Sequence, residues 1–146
     1  MTLREKKEEL VQLLVGVGDA QQRLAWVVEK GRSQAPLPPE LRTEAHLVEG
    51  CLSRLWFIPR FHEGACFFRS DSDSAIVRGI AALLCEFYSG RSPSEILEVD
   101  PSFLREVGIT QHLSANRRNA LGRLWEKIRE FAQSNEPNPP PPDDLL

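Results

Sequence analysis

Residues 55–68 read LWFIPRFHEGACFF, and the fold class is predicted from this segment. Its two apolar, aromatic-rich halves are separated by a short link that ends in Gly64, a composition typical of neighbouring β-strands. A further short run ends at Val48, just before Cys51. The links between the runs are too short for a crossover helix, so we expect three short strands that pair mostly antiparallel.

Helical patterns follow and precede these strands. Asp71, Ser72 and Asp73 supply acidic and capping side chains for a helix that we expect to cover the sheet. Its apolar stripe consists of Ile76, Ile80, Leu83, Leu84 and Phe87. Ser114 opens a last helix, whose apolar side consists of Leu121, Leu124, Trp125, Ile128 and Phe131. The sequence therefore predicts an α+β fold, a three-stranded sheet packed by several α-helices.

The N-terminal third predicts two more helices. Four apolar residues recur at helical spacing in the first: Leu3, Leu10, Leu14 and Val17. Asp19 is suited to cap the second helix, and Gly31 to end it in a left-handed conformation.

Length and composition predict one domain over residues 1–133. The chain has 146 residues, of which 41% are hydrophobic, enough for a single core. Residues 134–146 are rich in proline, and we expect a disordered tail there. The formal net charge of -3 offers no excess of positive charge for nucleic acid. No apolar run is long enough to span a membrane and no secretory signal is visible, so we expect a cytoplasmic protein.

The three cysteines are the candidate chemical groups. Cys51 follows Gly50 in a predicted loop, where a thiol is accessible; the alternative is a small buried side chain. Cys66 and Cys85 fall in a strand and a helix, and we expect structural roles for both. The spacing of the three cysteines matches no common zinc motif, and a metal site formed by the three thiols with Asp71 or His62 is an alternative interpretation. We expect the three histidines to be surface or capping residues.

Three blocks of sequence resemble the SufE family of sulfur-acceptor proteins. Residues 48–56, VEGCLSRLW, resemble its cysteine loop, and residues 70–79, SDSDSAIVRG, resemble its acidic helix start. Residues 112–119, HLSANRRN, are similar to the signature before its last helix. The resemblance covers residues 5 to 132, and the blocks occur in the family's order.

The resemblance implies a function as well as a fold. A SufE-type protein accepts sulfur as a persulfide from a SufS/CsdA-type cysteine desulfurase, activates that enzyme, and delivers the sulfur to an iron-sulfur scaffold or another acceptor. It has no independent turnover. Pyridoxal phosphate is then expected only on the desulfurase, and no cofactor or metal on this chain. Whether the chain forms a homodimer stays open.

Residue roles carried over from the resemblance centre on Cys51 as the persulfide acceptor. Arg117 matches the family's arginine and is the candidate cation for stabilising the thiolate, and we expect Trp56 to pack under the loop. Leu52, where glutamine is usual, should rest with Cys51 against an apolar hollow and swing outward on docking. Three alternatives remain: an iron-sulfur or zinc scaffold of related fold, a cysteine hydrolase with a base near Cys51, and an adaptor with an inert cysteine.

Overall fold

The computed structural model describes residues 1–136. Within that range two strands, β1 (Leu55–His62) and β2 (Ala65–Ser72), form an antiparallel hairpin. The α-helices are α1 (Leu3–Val17), α2 (Ala20–Arg32), α3 (Ala75–Tyr88), α4 (Pro93–Glu98), α5 (Phe103–Glu106) and α6 (Ala115–Ser134). Short 3₁₀ turns occupy Pro39–Leu41, Glu44–His46 and Thr110–His112. The predicted α+β class is confirmed.

The hairpin is closed by a two-residue turn. Glu63 has φ 50° and Gly64 has φ 80°, so both turn residues adopt the left-handed conformation that suits the twist of a tight hairpin. The register places Leu55 opposite Ser72 and His62 opposite Ala65. Residue 55, where the chain arrives from Cys51, therefore lies at the end of β1 away from the turn.

The predicted third strand is wrong. The segment before Cys51 pairs with β1 only as an isolated bridge between Leu47 and Trp56, where the Val48 amide donates to the Leu55 carbonyl at 2.8 Å. This bond directs the backbone groups of Leu55 and every second residue after it to the outer edge of β1. Pro59 occupies one of these positions and has no N–H to donate, so the ladder stops. The sheet formed by the described residues has two strands.

α3 is the central helix, and it covers the sheet as predicted. It packs against β2 on one side and α2 on another, and most of its residues are buried. At the α2–α3 crossing a Cβ on Gly31 would lie 2.5 Å from the Cα of Gly79. Gly31 therefore lies inside α2 and permits close approach, whereas the sequence predicted that it would end the helix. The helix ends instead at Arg32, with Ser33 as its cap.

α6 packs across α3, α4 and β1 and forms the wall beside the start of β1. Ser114 caps it as predicted, its hydroxyl accepting from the Arg117 amide at 3.3 Å. The helix includes Ser134, the first residue of the predicted tail, and the tail from residue 137 onward lies outside the described residues. No helix within residues 1–136 is both long and apolar enough to cross a membrane.

Candidate functional site

Cys51 lies in a loop of residues 49–54 that closes at a narrow neck. The Val48 to Leu55 hydrogen bond joins the two sides of the neck. Gly50 has φ 82°, a conformation that L side chains rarely adopt, and it turns the chain just before the thiol. The loop thus precedes β1, opposite the hairpin turn, and is not the hairpin tip that three strands would require.

The far end of the loop is tied to the segment before α3. Asp73 accepts from the Arg54 amide at 3.0 Å, and its own amide donates to the Arg54 carbonyl at 3.3 Å. The Ser72 hydroxyl donates to the same carbonyl at 2.7 Å. Three hydrogen bonds therefore fix the residue at which the loop joins the strand.

The near end of the loop rests on α6. The Asn119 side chain donates to the Gly50 carbonyl at 2.7 Å. Arg123 lies one helical turn further along the same face, and a Cβ added to Gly50 would come within 3.1 Å of its Nε. Asn119 and Arg123 therefore place an amide donor and a cation beside the thiol-bearing residue.

The Cys51 side chain is half-buried and packs against the hydrophobic core. Burial raises the pKa of the thiol above its ordinary value, and the positive charge of Arg123 opposes that rise. At neutral pH the resting thiol is therefore mostly protonated. The arrangement shields the sulfur without sealing it in the interior.

The cation beside Cys51 is Arg123, which the sequence did not single out. Arg117 is half-buried in the first turn of α6, six residues earlier and about 120° around the helix. The charge that acts on the Cys51 thiol is that of Arg123. No pattern in the sequence marks Arg123, because its place next to Gly50 depends on how α6 crosses the loop; the role of Arg117 stays a prediction.

Leu52 is 81% exposed, so the prediction that it rests in an apolar hollow is wrong. Cys51 and Leu52 face opposite ways in the loop, Cys51 toward the core and Leu52 toward solvent. Trp56 is buried, with the Arg42 guanidinium 5.6 Å from its ring centroid, and its packing under the loop stays a prediction.

The other two thiols are buried. Cys66 in β2 is fully buried, and burial raises its pKa to about 11. Cys85 in α3 is 4% exposed, and burial raises its pKa to about 12. Residues 1–136 contain no group of three or more histidine, cysteine or acidic side chains that could hold a metal ion, so the ligand set of the scaffold alternative is not found there.

The histidines lie in surface positions. His62 and His112 are exposed, and the His46 ring lies 3.0 Å from the Leu41 carbonyl of the preceding 3₁₀ turn. In the part of the chain that the structure describes, no hydrogen bond joins a histidine to Cys51. Within the described residues, no histidine is therefore positioned by a hydrogen bond to act as the base of the hydrolase alternative.

Asp71 joins the segment before the Cys51 loop to α3. The carboxylate is 1% exposed, accepts from Arg42 at 2.6 Å and lies 3.3 Å from the Arg78 Nε. It also accepts from the Leu37 amide at 3.0 Å. The sequence predicted a capping role for Asp71, but Ser74 caps α3 and Asp71 instead fixes the chain between α2 and the loop.

Comparison with known proteins shows that the chain is similar to the members of one protein family. A family model described as "SufE: Fe-S metabolism associated domain" matches residues 8–132. SufE-like protein 1, chloroplastic/mitochondrial, of Arabidopsis thaliana is 35% identical over 131 residues, covering 89% of this chain and 35% of the plant protein. An uncharacterized SufE-like protein of Rhizobium etli is 31% identical over 131 residues, covering 86% of this chain and 88% of that protein.

A solved structure has the same fold. A hypothetical protein from Thermus thermophilus matches with a TM-score of 0.72 at 21% identity, covering 89% of this chain and 95% of that one. At this identity the match concerns architecture alone. The chain thus corresponds to one part of the longer plant protein and to most of the shorter bacterial ones.

Proposed function

The chain belongs to the SufE family, whose description associates it with iron-sulfur metabolism, and from this premise we propose that Cys51 carries sulfur from one protein to another. The donor is the persulfide of a SufS/CsdA-type cysteine desulfurase, which the chain also activates. The recipient is an iron-sulfur scaffold or another sulfur acceptor. Pyridoxal phosphate belongs to the desulfurase, and this chain uses no cofactor of its own.

The accessibility of Cys51 is the observation that carries the proposal. Of the three cysteines, Cys66 and Cys85 lie in the core, and Cys51 lies in a surface loop beside a cation. A carrier needs one thiol that a partner can reach, whereas a metal scaffold needs several ligands that converge. The site has the first property.

The transfer step is an exchange between sulfurs. The Cys51 thiolate attacks the outer sulfur of the donor persulfide; a new S–S bond forms on Cys51, and the S–S bond to the donor cysteine breaks. The donor cysteine leaves as a thiolate, which then takes up a proton. No net oxidation or reduction occurs, and repetition of the exchange with the acceptor returns Cys51 to a thiol.

Movement of the loop reconciles storage with transfer. In the resting position part of the Cys51 side chain is covered, which shields a persulfide from water and oxidants and leaves only part of it exposed to a protein donor. The Gly50 carbonyl is held by the Asn119 side chain, and the neck at Val48 and Leu55 is closed by a backbone hydrogen bond. When the Asn119 to Gly50 contact opens and the Val48 to Leu55 hydrogen bond stays closed, Cys51 turns outward.

Mass spectrometry after incubation with a cysteine desulfurase and cysteine tests the proposal. We expect a mass gain of one sulfur atom on the peptide that contains Cys51, removable by a thiol reductant. Cys51→Ser should abolish the gain, and Cys66→Ala should leave it. Sulfur on Cys66 or Cys85, or none on Cys51 although the chain binds the desulfurase, would contradict the proposal.

Hydrogen exchange tests the loop movement separately. Exchange of the amides of residues 49–53 should change when the desulfurase is added, because docking displaces the loop from α6. The hairpin turn at Glu63 and Gly64, at the other end of β1, serves as the internal control and should not change. Equal exchange of residues 49–53 with and without the enzyme would rule the movement out.

A further inference from the structure

Leu52 is the most exposed of the large hydrophobic side chains in residues 1–136. Single exposed leucines are common on protein surfaces and need no function. The position of this one is unusual, because it is bonded to the half-buried residue that has to react. The two neighbours face opposite ways, Cys51 toward the core and Leu52 toward solvent.

Any protein that reaches Cys51 has to touch residue 52. Consecutive Cα atoms lie about 3.8 Å apart, so a donor sulfur in contact with Cys51 brings its own protein surface against the Leu52 side chain. The loop is held on both sides of this pair, through the Gly50 carbonyl and through Arg54. Leu52 is therefore held in a fixed, solvent-exposed position directly beside Cys51.

We propose that Leu52 is the apolar anchor through which this chain recognises its desulfurase, and that the desulfurase has an apolar recess beside its donor cysteine. The inference rests on the proposed sulfur transfer. Burial of Leu52 is favourable only in the complex, and a leucine seated in the recess pulls the loop away from α6. Recognition and exposure of Cys51 are then one movement.

Leu52→Gln tests the anchor because it keeps a side chain of similar size and removes its apolar character. The matched control is Leu13→Gln, the same change at a 49% exposed leucine of α1. Three quantities are compared: the Kd for the desulfurase in a Cys51→Ser background, the desulfurase concentration that half-saturates sulfur transfer to Cys51, and the rate at which iodoacetamide alkylates Cys51.

We expect Leu52→Gln to weaken the complex by about ten- to a hundredfold, to raise the half-saturating concentration in proportion, and to leave the alkylation rate unchanged. Leu13→Gln should change none of the three.

An unchanged Kd for Leu52→Gln would overturn the anchor and leave the sulfur carrier intact. A changed alkylation rate would also overturn it, since Leu52 would then shape the loop. A tight wild-type complex without transfer would overturn the proposed function, while the Kd comparison still decides the role of Leu52.

Discussion

Cys51 and Cys85 carry the same side chain in two regions of opposite character. Cys85 lies inside the central helix α3, where burial raises its pKa to about 12. Cys51 lies in a surface loop, where burial also raises the pKa but Arg123 opposes the rise. A helix exposes an internal thiol only by opening cooperatively, whereas a loop can move by releasing a few hydrogen bonds. The backbone around each thiol thus separates a half-buried sulfur from a buried one.

Alkylation of the native protein should give the largest contrast between the two regions. We expect iodoacetamide to modify Cys51 at least about a thousandfold faster than Cys66 or Cys85, because the buried thiols react only after structural opening. Peptide mass spectrometry over a time course measures all three rates in one sample.

Denaturation supplies the control for this contrast. In concentrated guanidinium chloride the three thiols should react at similar rates, because none keeps its folded environment. Equal alkylation rates in native buffer would contradict this contrast, since Cys51 would then be no more accessible than a core thiol.

Asp71 tests how strongly the buried contacts beside the Cys51 loop stabilise the fold. Asp71→Asn removes the charge that faces Arg42 and Arg78 and weakens the contact to Leu37. We expect it to lower the free energy of unfolding by about 2–4 kcal/mol, less than for a fully buried pair because both arginines are partly exposed and can regain water. Chemical denaturation measures the change.

Asp73→Asn is the matched control, the same substitution two residues away at an exposed carboxylate. It weakens one hydrogen bond, to the Arg54 amide, and should cost about 1 kcal/mol or less. A larger loss of unfolding free energy for Asp73→Asn than for Asp71→Asn would show that the buried contacts of Asp71 do not stabilise this region.

Patterns local in sequence predicted the helices and the loop position of Cys51. The apolar stripe of α3, the Ser114 cap and the glycine before Cys51 each act within a few residues, so the sequence displays them directly. The third strand failed for a reason also present in the sequence: Pro59 stands on the outer edge of β1, but which edge it faces follows only from the Val48 hydrogen bond.

The contacts that the sequence could not reveal are those between distant segments. Asp71 meets Leu37 and Arg42 across more than 25 residues, and Arg123 meets Gly50 across more than 70. Nothing in the spacing of an acidic run or a basic helix specifies such partners, since they depend on how packed elements cross. The exposure of Leu52 belongs to the same class, because it is set by the direction in which Cys51 points.

Gly50→Ala and Gly64→Ala separate backbone strain from disturbance of the site. Both glycines have φ near 80°, but a Cβ at Gly50 meets Arg123 at 3.1 Å while one at Gly64 meets nothing within 4 Å. Each variant should lose about 1–2 kcal/mol of stability. We expect only Gly50→Ala to change the alkylation rate of Cys51, because only there is a neighbour of the thiol displaced. An equal effect of both variants on that rate would contradict the assigned contact.

Arg123→Gln should have the smallest effect, a further rise in the pKa of Cys51. Burial already raises that pKa and Arg123 counteracts it, so removing the cation leaves burial unopposed. Below the titration midpoint less thiolate is then present, and alkylation at neutral pH should slow by about two- to fivefold for a solvent-screened charge. Arg123→Lys should keep most of the wild-type rate.

The pH profile distinguishes this electrostatic effect from a change in loop shape. If the pKa alone has moved, the alkylation rates of wild type and Arg123→Gln converge at high pH, where the thiol is ionised in both. Arg117→Gln is the matched comparison, since it removes the cation that the sequence favoured. A larger displacement of the profile by Arg117→Gln than by Arg123→Gln would make Arg117 the residue that tunes the thiol and would reverse the assignment drawn from the geometry of α6.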